Sequence, residues 1–212
     1  MIRKNSPYTA AFTGAHFMLY ETIRMLPLLL DDKAEALVKQ EIQENKYWMV
    51  NSLESRKKYS AELKRRFQSV PRSFWTDFLQ WDEPRQRIGM LYVLLSTYRI
   101  LLEFHINVTI KKWHSINHQL CHEDIAMELS QIAAQDEFVD SWNDSTKKRI
   151  VSAYLTFLQH AGLYDKKNMR LHPAADVDKS AYAYYLQHGQ EWFVEACLLY
   201  PYEIDNIKQN SL

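Results

Sequence analysis

The hydrophobic pattern is sharpest between Trp142 and Pro173. Ile150, Val151, Tyr154, Leu155 and Leu158 recur at helical spacing, Asn143 or Asp144 stands where a cap is needed, and Gly162 ends the run. Beyond it, Leu163 and Tyr164, the polar turn Asp165-Lys166-Lys167-Asn168, then Met169 to His172 predict two short extended segments around a turn. Helix, glycine and hairpin in that order predict a winged helix.

Upstream, the periodicity predicts a helix from near Ala15 to Met25 or Leu29, ended or kinked at Pro27. A second, opened by Asp32 and Glu35, reaches about Ile42. A third, opened by Asn51 and Glu54, carries Tyr59, Leu63, Phe67 and Val70 up to Pro71. Two helices and a basic third resemble a helix-turn-helix, with a longer link than usual. Ser73 to Gln80 predicts a short aromatic helix, and Arg85 to Trp113 a continuous central one. An acidic helix from Glu123 to about Ala134 follows, and the tail predicts small helices at Ala181–His188 and Glu191–Leu199. The expected fold is all-α with one short β-hairpin, in regions 1–82, 83–140 and 141–212 of what is expected to be one unit.

Composition supports this. Four glycines, six prolines and 47% hydrophobic residues in 212 favour long helices around a sizeable core. The apolar run Ile88–Ile110 holds Arg99 and Glu103 at i,i+4, which argues for a buried central helix and an internal ion pair rather than a membrane span. The basic Met1–Pro7 start lacks a secretory apolar region, and Cys121 and Cys197 read as reduced thiols, so a cytoplasmic protein without membrane association is expected.

Net charge is zero, but charge is segregated. Residues 51–66 and 143–170 each carry six basic and two acidic side chains, while 121–140 carry six acids and no Lys or Arg. Lys147, Lys148 and Arg149 crowd the predicted start of their helix against its dipole, a mismatch that a phosphate at that N-terminus would reverse. A solvated basic face is the plainer alternative. The candidate contacts for a nucleic-acid backbone are Arg56, Lys57, Lys58, Lys64, Arg65, Lys147, Lys148, Arg149, Lys166, Lys167 and Arg170, with Ser55, Ser145, Ser152 and Thr156 as hydrogen-bond donors.

Other chemistry is weaker. His114, His118 and His122, with Cys121 and Glu123 beside them, recur at i, i+4 and i+8. On one helix the outer two would stand about 12 Å apart, too far for one tetrahedral centre, so no metal or cofactor is expected. Neither a phosphate-binding glycine loop nor a nucleophile elbow occurs. Trp75, Trp81, Trp113, Trp142 and Trp192 read as core anchors before base-stacking platforms.

Three segments carry a family resemblance: Tyr8-Thr9-Ala10-Ala11-Phe12-Thr13-Gly14 with Glu21, Tyr98 to Phe104, and Asp144-Ser145-Thr146-Lys147-Lys148-Arg149 running to Ala161-Gly162-Leu163. Together they resemble the BrxA family, small core components of BREX (bacteriophage exclusion) systems, over nearly the whole chain. The resemblance implies a helical, non-enzymatic cytoplasmic protein that binds double-stranded DNA beside a methyltransferase and other BREX proteins. The Trp192–Cys197 tail matches no motif of that family. A protein-interaction adaptor in the same assembly, docking through the segregated patches, is the rival reading.

Overall fold

The apolar run from Ile88 to Ile110 does not form one helix. In the computed structural model, which describes residues 6–210, α5 (Glu83–Thr97) stops at Tyr98, whose extended backbone (φ −119°, ψ 104°) breaks the ladder. The Tyr98 carbonyl then accepts from Leu101 and Leu102, restarting the helix as α6 (Arg99–Phe104). With neither Gly nor Pro at the break and apolar residues on every side, periodicity alone does not reveal it. The chain divides at this residue rather than at 82/83 or 140/141: Ala11–Thr97 is one unit, and residues up to Ala10 and from Tyr98 onward form the other.

The Ala11–Thr97 unit is helical throughout. α1 (Leu19–Leu29) continues past Pro27, because the Leu30 N–H reaches back to the Leu26 carbonyl. α2 (Ala34–Glu44) and α3 (Leu53–Gln68) follow, α3 capped by Ser52, not Asn51. Their link is tightly bonded. The Glu41 carboxylate accepts from the N–H groups of Lys46, Tyr47 and Trp48, and Asn45 from that of Val50. Trp48 is buried there, edge-on to Tyr59. α4 (Arg72–Phe78) supplies Phe74, Trp75 and Phe78, which with Trp81 make an aromatic cluster against α5. Gly89 is small because it must be: a Cβ there would stand 2.9 Å from the Trp81 ring and 3.0 Å from Phe78.

In the other unit, α6 runs into a π-helical segment, His105–Ile110, and the short α7 (Lys111–Trp113). α8 (His122–Gln135), α9 (Glu137–Asp140) and α10 (Asp144–His160) follow, then the antiparallel hairpin of β1 (Tyr164–Asp165) and β2 (Arg170–Leu171). The tail holds α11 (Ala183–Gln187), α12 (Glu191–Ala196) and α13 (Pro201–Asn210), the last unexpected. The π segment carries a buried polar chain. His105 Nε2 lies 2.7 Å from the Ala196 carbonyl and must be the protonated nitrogen, so Nδ1 accepts from the Tyr154 hydroxyl at 2.9 Å. That hydroxyl in turn accepts from Thr109 at 2.6 Å. Burial lowers the His105 pKa to about 4 and raises that of Tyr154, which keeps both neutral.

Arg99 and Glu103 pair as expected, at 2.7 Å, but on the surface, with the Tyr8 hydroxyl donating to the other carboxylate oxygen at 2.8 Å. Burial and the Glu103 carboxylate push the Tyr8 pKa up to about 12. Among the described residues no single helix is long and apolar enough to cross a membrane. The Met1–Asn5 part of the basic start lies outside the described residues.

Candidate nucleic-acid interface

α10 is positioned by local chemistry at both ends. The Asn143 side chain accepts from the Thr146 N–H at 2.8 Å, capping the start. At the other end Gly162 takes φ +76°, with the Gly162 and Leu163 N–H groups bonded to the carbonyls of Gln159 and Leu158, a Schellman closure. Ile150, Val151, Tyr154, Leu155, Phe157 and Leu158 are buried. The opposite stripe, Ser145, Lys148, Arg149 and Ser152, is exposed, and half-buried Thr156 extends it. Thr156 is turned onto its own helix, its hydroxyl donating to the Ser152 carbonyl.

With Asn143 as the cap, Lys147, Lys148 and Arg149 occupy the fourth to sixth helical positions, at the end of the first turn and beyond it. Asp144 holds the first helical position, so the first turn is acidic and the dipole mismatch is smaller than expected. Lys147 is half-buried, donating to the Asp140 carbonyl at 3.0 Å with the Asp140 carboxylate at 3.6 Å. It stitches α10 to α9. Arg149 leans on Ser145 at 3.4 Å, and Lys148 is exposed, with no ion pair among the described residues.

The hairpin is rigid at its tip. The Asp165 carboxylate accepts from the N–H groups of Lys167 and Asn168 and from the Asn168 amide, contacts that hold its pKa below the usual range. Lys166, Lys167 and Arg170 are exposed, and none pairs with a carboxylate among the described residues. A third extended segment, unforeseen, braces the hairpin. Leu120 N–H donates to Met169, Leu171 N–H to His118, and the Tyr164 hydroxyl to the Leu120 carbonyl, while Gln119 bridges Arg170. α8 and α9 precede α10, so the element is larger than the Trp142–Pro173 stretch. The signal for the brace is slight: one apolar residue, Leu120, between polar neighbours.

On α3, in the other unit, the candidates divide. Arg56 is not a surface cation. It is buried, and its guanidinium donates to the carbonyls of Ile42, Val50 and Asn51, closing the α2–α3 link. Arg66 is likewise interior, donating to the carbonyls of His16 and Phe17. Burial lowers its pKa to about 10, opposed by Glu62. A three- or four-residue period cannot separate a solvated arginine from one that ties up carbonyls. Lys57, Lys58, Lys64 and Arg65 are exposed, with Lys58 and Arg65 each 3.8 Å from a glutamate of the same helix, Glu54 and Glu62. Ser55 is half-buried, its N–H bonded to the Ser52 cap.

The histidine series is broken by structure. α7 ends at Trp113, His114 is exposed, and His118 has φ +50° with its ring over Trp113 at 4.4 Å. No group of three or more metal-ligating side chains occurs among the described residues. Cys197 is buried, which holds its thiol well above the usual range. Trp75 and Trp113 are core residues, whereas Trp81, Trp142 and Trp192 are half-buried.

A crystal structure of an uncharacterized protein from Magnetospirillum magneticum shares the fold, with a TM-score of 0.75 and 20% identity over 91% of this chain and 98% of that one. No curated protein matches. The BrxA family model matches residues 6–177, which takes in all of α1 to α10, the hairpin and its brace. The chain therefore belongs to the BrxA family of BREX phage-defence components.

Proposed function

We propose that α8, α9, α10 and the braced hairpin form a winged-helix module that binds double-stranded DNA. The observation that carries this is the exposed positive charge, without ion pairs among the described residues, of Lys148 and Arg149 on α10 and of Lys166, Lys167 and Arg170 on the hairpin. Ser145 and Ser152 flank Lys148 and Arg149 on the same exposed stripe and are small enough to let a phosphate backbone approach, although the Ser145 hydroxyl already donates to the Asn143 side chain. Lys147 is a brace for α9 and contributes less. α3 is weaker support, since Arg56 is interior and two of its four exposed cations sit beside glutamates. The proposed role is binding rather than catalysis, in the cytoplasm, within a BREX assembly.

Titration of labelled duplex at two salt concentrations tests the reading. Binding should be modest and fall steeply with salt, because each phosphate contact releases counterions. Replacing Lys148, Arg149, Lys166, Lys167 and Arg170 by Ala in a folded protein should abolish it. Absence of binding by the natural chain at low salt would favour the protein-interaction adaptor.

A further inference from the structure

The hairpin tip presents an apolar side chain where backbone chemistry favours glycine. Residues 166–169 connect β1 to β2, and Met169 closes the turn with φ +51°, the left-handed region that glycine or asparagine adopts at far lower cost. Asn168, one residue earlier, is committed to the Asp165 carboxylate instead. The strained residue is held from both sides. Asp165 fixes the turn through the N–H groups of Lys167 and Asn168, and the Met169 carbonyl accepts from the Leu120 N–H of the bracing segment at 2.9 Å. Strain that the surroundings over-determine in this way belongs with functional positions more than with idle loops.

The side chain so held does not enter the core. Tyr164 and Leu171 of the same hairpin are buried, whereas Met169 is 47% exposed. Its neighbours in sequence are Lys166, Lys167 and Arg170, all exposed and without ion pairs among the described residues. An acidic protein surface answers these cations alone. Duplex DNA answers both features, with phosphates along the groove walls and stacked, apolar base faces between them. Methionine is among the side chains that wedge between base steps from the minor groove and partly unstack them. A tip already fixed by Asp165 and the brace has little left to order when it enters.

We infer that Met169 is a wedge that the wing inserts into a base step from the minor groove, while Lys166, Lys167 and Arg170 hold the flanking phosphates. This rests on the winged-helix reading above and adds to it a source of selectivity. Phosphate contacts carry no sequence information, but insertion favours the steps that deform most readily, TA and CA.

The test is the fluorescence of 2-aminopurine placed in a single TA step at the centre of a short duplex, titrated with the full chain at low salt. Binding should raise the emission several-fold as the step unstacks. The same duplex should bind several-fold more tightly than a purine-tract duplex of equal base-pair composition. Met169→Gly relieves the backbone strain, so its melting temperature should not fall. It should nevertheless lose the emission rise and the TA preference, and keep the salt slope, since no phosphate contact is removed. Met169→Leu, still an apolar wedge, should keep both. Duplex binding without an emission rise, or a rise that Met169→Gly retains, would overturn this inference and leave the proposed function standing; no duplex binding by the natural chain would overturn both.

Discussion

Tyr154→Phe removes one oxygen from the middle of a buried chain of three side chains. In the native protein Thr109 donates to that oxygen at 2.6 Å, and the oxygen donates to His105 Nδ1 at 2.9 Å. The ring still fits, so no sizeable cavity forms. Thr109 can turn to a carbonyl of its own helix, but His105 cannot. Its Nε2 proton is committed to the Ala196 carbonyl, which leaves Nδ1 a buried acceptor with no donor. Such a group costs about 1–3 kcal/mol, so the variant should be less stable by about that amount. Urea unfolding at pH 7.5, followed by circular dichroism, should show the midpoint lowered by about 1 M at an unchanged slope. A loss below about 0.5 kcal/mol would refute the proton assignment. His105 also sets a pH window. Its folded pKa of about 4 lies below the ordinary 6.5, so the unfolded chain binds the proton first as pH falls. The stability that neutral His105 contributes is complete above pH 6.5 and drains between 6.5 and about 4, to a total of roughly 3 kcal/mol.

Three further outcomes follow from the same structure. Replacing Lys148 and Arg149 by Ala should lower the log–log salt slope of duplex binding by about 0.9 for each phosphate contact removed, read by fluorescence anisotropy; an unchanged slope would take α10 out of the interface. Arg56→Met should destabilise the protein by several kcal/mol, since it strands the carbonyls of Ile42, Val50 and Asn51, and urea titration would expose a surface role if the loss were negligible. Gly89→Ala forces a methyl against Trp81 and Phe78, an overpacking cost of about 1–3 kcal/mol that exceeds the roughly 1 kcal/mol gained in helix propensity. Its melting temperature should therefore fall, not rise.

Local signals carried much of the fold. Asn143, Gly162 and the Asp165–Asn168 turn act through bonds to neighbours a few residues away, so α10 and its hairpin were legible before any tertiary contact was known. Ser52 displaced Asn51 as a cap by one position, a shift within the reach of local competition. The break at Tyr98 was not legible, since it falls inside a continuous apolar stretch with no Gly or Pro to mark it.

The candidate site was legible in part. Lys148, Arg149, Lys166, Lys167 and Arg170 are exposed as their positions suggested. Arg56 and Lys57 are adjacent in sequence and chemically alike in charge, yet one bonds three carbonyls in the interior and the other stands in solvent. Periodicity reports which way a side chain points, not whether a distant loop has brought carbonyls to meet it.

By itself the sequence determined the helical class, the capped α10 with its hairpin, the segregation of charge and the resemblance to the BrxA family, because each is written in residue type and short-range spacing. Only the tertiary structure decided which cations are free, where the long apolar run breaks, and that residues 118–120 brace the hairpin. These depend on contacts between residues far apart in the chain, where burial and hydrogen-bond satisfaction outweigh local preference.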